Sequence, residues 1–332
     1  MLELLDVVDE AHEALLDGRL DDARAALERA KRIDAGDREV RLLELEVLDD
    51  EGRLTDAVTA ARAAHVALPR SMAIQLKLAE LLLDAGDAGA RSLLEELLER
   101  VDAGEEPDVE RTGGETTTEP GEFLVGTLLA LSDARAHHGD ARGALAAAQR
   151  LVATIDEAPV EHSAFAAVAH MSVAMALFEL ARVDAALAAV VVALAQQDPF
   201  ADIHWLHGRI LTARGEDDRA DEAFARAMAL DADHFRMPLR ITELGFAQLI
   251  DEARAQLPER DRASLTNILI VAAERPDSAA FARSDPPRSA GEKAIVDGAR
   301  ITLFRKNLEI ASSTKDEMCM LLVKTLREAS SR

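Results

Sequence analysis

His204 and His207 stand three residues apart with Asp202 just upstream, and residues of these types at this spacing could hold a metal ion on one helix face. No third convergent ligand accompanies them, so they read instead as solvent or groove positions on a helix. His137 and His138 directly precede Gly139 and read as a C-terminal pair favoured by a helix dipole. His162 and His170 have no spaced partners, and no nucleophile elbow or Ser/His/Asp arrangement occurs. Gly113-Gly114 precedes no helical pattern and cradles no phosphate. Cys319 is the single cysteine, which excludes a disulfide framework or a Cys-based zinc site within one chain. These residues give the expectation of a protein with no catalytic site, no metal and no cofactor.

The elements that would position any such side chains follow a repeat. Gly18, Gly52 and Gly86 are 34 residues apart, and each opens a phrase of small and apolar residues. Leu20, Ala23, Leu27 and Ala30 follow Gly18, while Leu54, Ala57, Ala61 and Ala64 follow Gly52, with Pro69 closing the unit. The phrase returns after Gly139 as Ala141, Ala144, Ala148 and Leu151. It returns again after Ala181, which stands where glycine is expected, as Val183, Ala186, Val190 and Ala193. Its fullest copy carries Trp205, Leu206 and Gly208, then Gly215, Ala220, Phe224 and Ala227. A 34-residue period of this kind marks a helix–turn–helix repeat, in which small residues sit where helices approach closely. The third copy keeps its first helix, but its second, Ser92 to Val101, is out of register.

Residues 1–235 therefore resemble a tetratricopeptide repeat (TPR) protein, an α-solenoid of about six helix–turn–helix repeats. The resemblance implies a surface for proteins or peptides rather than a catalytic pocket. It also implies that the first helix of each repeat lines a concave groove. The groove positions carried over are Glu39, Leu42, Glu46, Asp49, Asp50, Glu80 and Asp84 early in the chain. Asp133 and His137 come from the fourth repeat, and Asp202, Trp205, Arg209 and Thr212 from the last. That groove would be acidic at its N-terminal end, with Trp205 as an apolar anchor near the other, and would suit a segment bearing Lys or Arg.

A formal net charge of −24 disfavours nucleic acid, whose phosphates need a cationic surface. The acidity leaves two explanations open, a basic partner or solubility in a saline or high-GC host. Aromatics make up only 3%, with no tyrosine, which suits closely packed helices better than a β-sandwich. No stretch of 18 apolar residues is present, and the opening MLELLDVVDE is acidic from its third residue. The expectation is a cytoplasmic protein with neither signal peptide nor membrane partner. Residues 103–121 (AGEEPDVERTGGETTTEPG) read as a flexible acidic loop with a candidate regulatory site at Thr116 to Thr118.

Residues 236–332 change character and read as a small α/β module. An amphipathic helix presents Phe246, Leu249, Ile250, Ala253 and Leu257 and stops at Pro258. Ile268 to Val271 reads as a buried strand, and Ala299 to Ile310 (ARITLFRKNLEI) as a second. Thr314 and Glu317 form a capping box before a helix striped by Met318, Leu321, Leu322, Thr325 and Leu326. In order and wording, from Leu257-Pro258 through Glu274-Arg275-Pro276 to ITLFRKNLE, the module resembles the minimal zincin-like metallopeptidase domain of bacteria. That family holds zinc with HExxH, where two His at i and i+4 bind the metal and the Glu is the general base. Here Arg327 and Ser331 stand at the two His positions, only Glu328 is kept, and no third ligand follows. The resemblance implies a degenerate, non-catalytic relative. The function expected is an interaction scaffold. The alternatives are a pseudoenzyme that binds protein in the old cleft, or a truncated zinc metallopeptidase.

Overall fold

In the computed structural model the described residues are 2–108, 111–112, 115–116, 120–157, 165–196 and 200–330. They fall into two compact units, Met1–Phe165 and Ala166–Arg332. The first unit is four helical hairpins: α1 (Leu2–Leu16) with α2 (Leu20–Asp34), α3 (Arg38–Asp50) with α4 (Leu54–Ala67), α5 (Met72–Asp84) with α6 (Gly89–Asp102), and α7 (Pro120–His137) with α8 (Ala141–Glu157). α2, α4 and α6 each pack on the next hairpin, and α1, α3, α5 and α7 also touch in series. Two short strands, β1 (Arg111–Thr112) and β2 (Glu115–Thr116), pair antiparallel, and β1 runs beside α1. The second unit opens with two more hairpins, α9 (Ala166–Glu179) with α10 (Val183–Leu194) and α11 (Ala201–Arg214) with α12 (Asp217–Leu230).

The repeat phrase accounts for these hairpins. The turn glycines Gly18, Gly52, Gly86, Gly139 and Gly215 all have positive φ, between 68° and 86°. At Gly52 the turn closes with Arg53 N–H donating to the Leu48 carbonyl and Gly52 N–H to the Asp49 carbonyl, which satisfies the last carbonyls of α3. Ala181 takes the same turn at φ 53°, where an L side chain is strained. After each turn the second helix buries residues at i, i+4 and i+7: Ala23, Leu27 and Ala30 in α2, Ala57, Ala61 and Ala64 in α4, Ala220, Phe224 and Ala227 in α12. In α6 the same spacing recurs one residue early, as Ala90, Leu94 and Leu97, so the out-of-register copy still builds a packed hairpin. A Cβ on Gly208 would lie 2.5 Å from the Phe224 ring, so glycine is what lets α11 and α12 close on that ring.

The C-terminal module lies in the second unit. α13 (Glu243–Gln256) and α14 (Glu259–Ser264) precede β3 (Leu269–Ala273), α15 (Ser278–Arg283), β4 (Ala294–Asp297), β5 (Arg300–Phe304), α16 (Arg305–Ile310) and α17 (Lys315–Ser330). The sheet has the order β3-β5-β4, with β3 parallel and β4 antiparallel to β5. Phe246 and Ile250 of α13, Ile301 and Leu303 of β5, and Met318, Leu322 and Leu326 of α17 share one core. The capping box forms as read: Thr314 Oγ1 accepts the Glu317 N–H at 3.2 Å, and Glu317 Oε2 accepts the Thr314 N–H at 3.3 Å.

Three expectations are corrected. β3 is an edge strand, not a buried one, because β5 takes the centre of the sheet; Leu269 is 61% exposed. The expected strand Ala299 to Ile310 ends at Phe304 and turns into α16, whose Lys306, Asn307 and Glu309 are buried and bonded away from the sheet. Its second neighbour, β4, is formed inside Arg275 to Gly298, a stretch with Pro276, Pro286 and Pro287 that reads in the sequence as an interruption of the helical pattern. Of residues 103–121, the side chains from 109 to 120 lie outside the described residues, and with them the candidate site Thr116 to Thr118. Before that stretch, Asp108 is anchored. Its Oδ1 accepts the N–H groups of Met72 and Ala73 at the start of α5, at 2.6 and 3.1 Å, and Arg38 Nη1 donates to its carbonyl at 3.0 Å.

A buried ionic network ties the module to α11 and α12. Glu309 is fully buried and meets Arg240 Nη1 and Lys306 Nζ, each at 3.2 Å. Asp217 of α12 accepts Arg275 Nη2 at 2.7 Å and lies 3.0 Å from Lys306 Nζ. Arg275 Nε also donates to the Thr212 carbonyl of α11 at 2.7 Å. Burial resists ionisation of Asp217, but the bonds from Arg275 and Lys306 outweigh it and hold its carboxyl below the usual range.

Removing one member of a buried pair strands the others. Glu309→Ala should cost about 3–5 kcal/mol in urea unfolding of the second unit. Asp221→Ala, at the exposed end of the same network, should cost less than about 1 kcal/mol. Ala181→Gly should instead raise stability by about 1 kcal/mol, by relieving the left-handed strain; an unchanged midpoint would show that the buried Ala181 methyl offsets it.

Candidate functional site

In the first unit the carboxylates of α3 and α5 gather around one lysine. Lys77 Nζ lies 2.8 Å from Asp49 Oδ2 and 4.0 Å from Glu80 Oε2. His12 Nε2, from α1, lies 3.2 Å from Glu46 Oε2. Burial disfavours the Lys77 ammonium, yet Asp49, Glu80 and Glu46 together push its pKa above the ordinary value. Glu80 moves up as well. Burial is the larger cause, Lys77 opposes it, and the Asp84, Asp49 and Glu46 charges add to it. Asp50 and Asp84, the last residues of their helices, are exposed and make no ion pair with a described residue. Neither α3 nor α5 has a basic residue in its last turn, so helix dipole and side chains sum to one negative patch.

Other expected groove residues are spoken for. Leu42 packs with Ala64 and Ile74, and Glu39 is buried against Arg38, so both belong to helix packing rather than to an open surface. Asp133 of α7 has its carboxyl pushed up by burial, with His137 opposing, and His137 Nδ1 lies 3.2 Å from the Asp133 carbonyl oxygen.

In the second unit Asp202 is exposed, but Trp205 is not a free anchor. Its ring packs against Phe224 at 4.7 Å and Phe235 at 5.3 Å between centroids, which makes it part of the α11–α12 core. Thr212 is fully buried and offers no side-chain surface. Arg209 is half-buried over the Phe178 ring, 4.9 Å from its centroid, and lines a cavity of ≈450 Å³ with residues of α9, β4 and α17. His204 and His207 do not converge on a ligand set. Among the described residues no three His, Cys, Asp or Glu side chains gather to hold a metal. Both His207 ring nitrogens and His204 Nδ1 are buried without a hydrogen-bond partner. Burial, then Arg219, His204 and Arg226, lower the His207 pKa from 6.5 to about 4.

At the tract matching HExxH, Arg327 Nε lies 3.3 Å from Asp261 Oδ2 on α14, while Glu328 lines the cavity near Lys324. Ser331 lies outside the described residues. Sequence reasoning missed the cavity and the Arg275–Asp217–Lys306–Glu309 network. The one available signal was the charged run Arg305-Lys306 and Glu309 inside an otherwise apolar pattern.

With this geometry established, comparison with known proteins adds a likeness. Residues 84–244 match the model of the tetratricopeptide repeat-like domain, a span that takes in α6 to α12. The chain is mainly helical, and just under half of it is similar to a TPR-like domain of stacked hairpins. Among solved structures it resembles a chain of the APC/C hetero-tetramer Cut9–Hcn1, with TM-score 0.57 and 13% identity, covering 70% of this chain. The match spans 41% of that neighbour's length. Pseudomonas aeruginosa PilF aligns with TM-score 0.52 and 13% identity over 75% of this chain and 98% of its own. The apo form of RapI aligns with TM-score 0.50 and 13% identity over 74% of this chain and 68% of its own. No curated protein matches. At these identities the likeness concerns the fold.

The His207 shift has a sign that can be tested. Folding lowers the affinity of this ring for a proton, so its contribution to stability is intact above pH 6.5 and is lost as pH falls toward about 4. His207→Leu should remove that component. Its thermal midpoint should fall less than the parent's between pH 6.5 and 4.5, and parallel curves would overturn the assignment.

Proposed function

We propose that the chain is a non-catalytic protein-interaction scaffold, and that the face formed by α1, α3 and α5 takes an extended or helical segment bearing Lys or Arg. The observation that carries this reading is the placement of Asp50 and Asp84. They are carboxylates at helix C-termini with no ion-pair partner among the described residues, and there the dipole makes each one cost about 0.3–1 kcal/mol in the free protein. A docked cation would relieve that cost and would ease Glu80 back toward its ordinary range. Stacked repeats build extended concave surfaces of this kind, and the Cut9–Hcn1 neighbour is itself part of a hetero-tetramer. A charge of −24 points away from nucleic acid, and no helix of the described residues is long and apolar enough to cross a membrane.

A second reading has one observation in its favour. The helix that resembles the degenerate zincin tract places Glu328 on the wall of the second unit's cavity, so the C-terminal module could bind a ligand there without catalysis.

Fluorescence anisotropy with a labelled Lys/Leu amphipathic peptide tests the first reading. Reversal of Asp49, Asp50 and Asp84 to lysine should weaken binding about tenfold or more, and 0.5 M salt should abolish it. A charge-matched control reverses Asp21, Glu28 and Asp56 on α2 and α4. Equal loss in both variants would mean that only net charge is being read, and the groove assignment would fail.

A further inference from the structure

β3 stands at the edge of its sheet with none of the devices that close an edge. Its only strand partner among the described residues is β5, and the Leu269 N–H donates to the Ala299 carbonyl at 2.8 Å. The two-residue period of a strand then turns Val271 and Ala273 toward β5 as well. It directs the N–H and C=O groups of Ile270 and Ala272 outward, where no described residue bonds to them. From Ile268 to Ala273 the strand reads ILIVAA, with no charge and no proline, and its register on β5 runs without a bulge. Leu269 and Ala272 are exposed. Unpaired backbone groups on an uncharged apolar edge are a template for another strand.

The strand itself specifies which one. When β3 is set antiparallel to its own copy about a two-fold axis at Val271, Ile270 faces Ala272 of the second copy and Ala272 faces Ile270. Every outward donor then meets an acceptor. The exposed Leu269 lies opposite the small Ala273, and Val271 lies opposite its own copy. The flanks match in charge. Before the strand, Arg260 and Arg262 of α14 are exposed and make no ion pair with a described residue, while Asp261 between them is met by Arg327 at 3.3 Å. Glu259 also stands there, so two free arginines face one free acid. After the strand come Glu274, which contacts Arg275 and Arg305 yet stays exposed, and Asp277, which makes no ion pair with a described residue. Arg275, between them, is spent on Asp217 and the Thr212 carbonyl. Antiparallel pairing sets the arginine flank of one copy against the acidic flank of the other. We propose that β3 is a self-association edge, through which two copies of the chain join β3 to β3 antiparallel about Val271 and form one continuous sheet. A two-fold contact of this kind closes at the dimer. It lies outside the scaffold reading and uses no residue of the α1–α3–α5 face.

Sedimentation velocity of the full chain between about 1 and 200 µM tests it. A contact of this size should give a reversible dimer with a Kd of about 1–100 µM. Ala272→Pro removes an outward N–H that β5 does not use, and should weaken association at least about tenfold. Leu269→Lys, at an exposed position, should do the same by charging the edge, and keeps the test valid if Ala272→Pro disturbs the strand. Cysteine substitution reads the register. Val271→Cys, on the axis, should cross-link to its own copy on oxidation, whereas Leu269→Cys, displaced along the strand, should not. A chain that stays monomeric over the whole range, or a dimer kept by both edge variants, would overturn the proposal. So would cross-linking through Leu269→Cys and not Val271→Cys. Growth past the dimer into open assemblies would overturn the closed two-fold pairing.

Discussion

The buried carboxylate of Glu309 is the constraint around which the second unit is arranged. A charge removed from water is tolerable only if its lone pairs are met, and Arg240, Lys306, Arg305 and the Ile241 N–H meet them. Those partners come from α16 and from the segment that leaves α12, so satisfying one carboxylate fixes where the chain re-enters the module. Lys306 then passes the constraint on to Asp217, and Asp217 to Arg275, whose other bond ends on the α11 backbone. Ionic contacts of this kind add little net stability compared with apolar packing. Their geometric demands favour one docking of the module on α11 and α12 over its alternatives.

The same network marks where sequence reasoning reached its limit. The hairpins could be read because their cause is local: a glycine free to take positive φ, then small residues at i, i+4 and i+7. The i, i+4, i+7 rule even survives the one-residue shift in α6, since a helix packs by face rather than by absolute register. The C-terminal strands could be read only in part. Arg300 to Phe304 has the apolar content of a strand, but Lys306 and Glu309 are buried through partners far away in the chain, which no local pattern reports. Likewise Ile268 to Val271 is apolar enough for a central strand and becomes an edge because β5 is paired on both sides.

For the candidate groove, the residues were easier to name than their exposure. Trp205 and Thr212 hold positions that a repeat can turn either to a partner or to the next helix, and side-chain size decides between them. Gly208 opens room for Phe224, Phe224 draws in Trp205, and the indole is used up in packing. Leu42 is absorbed in the same way by Ala64 and Ile74. What remains open on α3 and α5 includes Arg41 and Lys77, but in the last turns of the two helices the charged residues are all acidic.

That sign alone would prove little in a chain this acidic, so the argument rests on where the acids stand. On α2, Asp21 and Asp22 occupy the first turn, where the dipole favours them, and Arg24 and Arg19 pair with them at 3.1 and 2.8 Å. On α4, Asp56 in the first turn is met by Arg53 at 2.7 Å. Acidity acquired only for solubility can be placed at such sites at no cost. Asp50 and Asp84 are at the opposite ends of their helices, where the dipole opposes them and no described cation answers them, and the Asp84 charge adds to the burial that already pushes the Glu80 carboxyl toward protonation. Asp156 and Glu157 end α8 in the same unfavourable way, so what sets the α3–α5 face apart is that a half-buried carboxyl, Glu80, already lies under the charges of Asp84, Asp49 and Glu46. A docked cation of the kind proposed above would relieve that crowding.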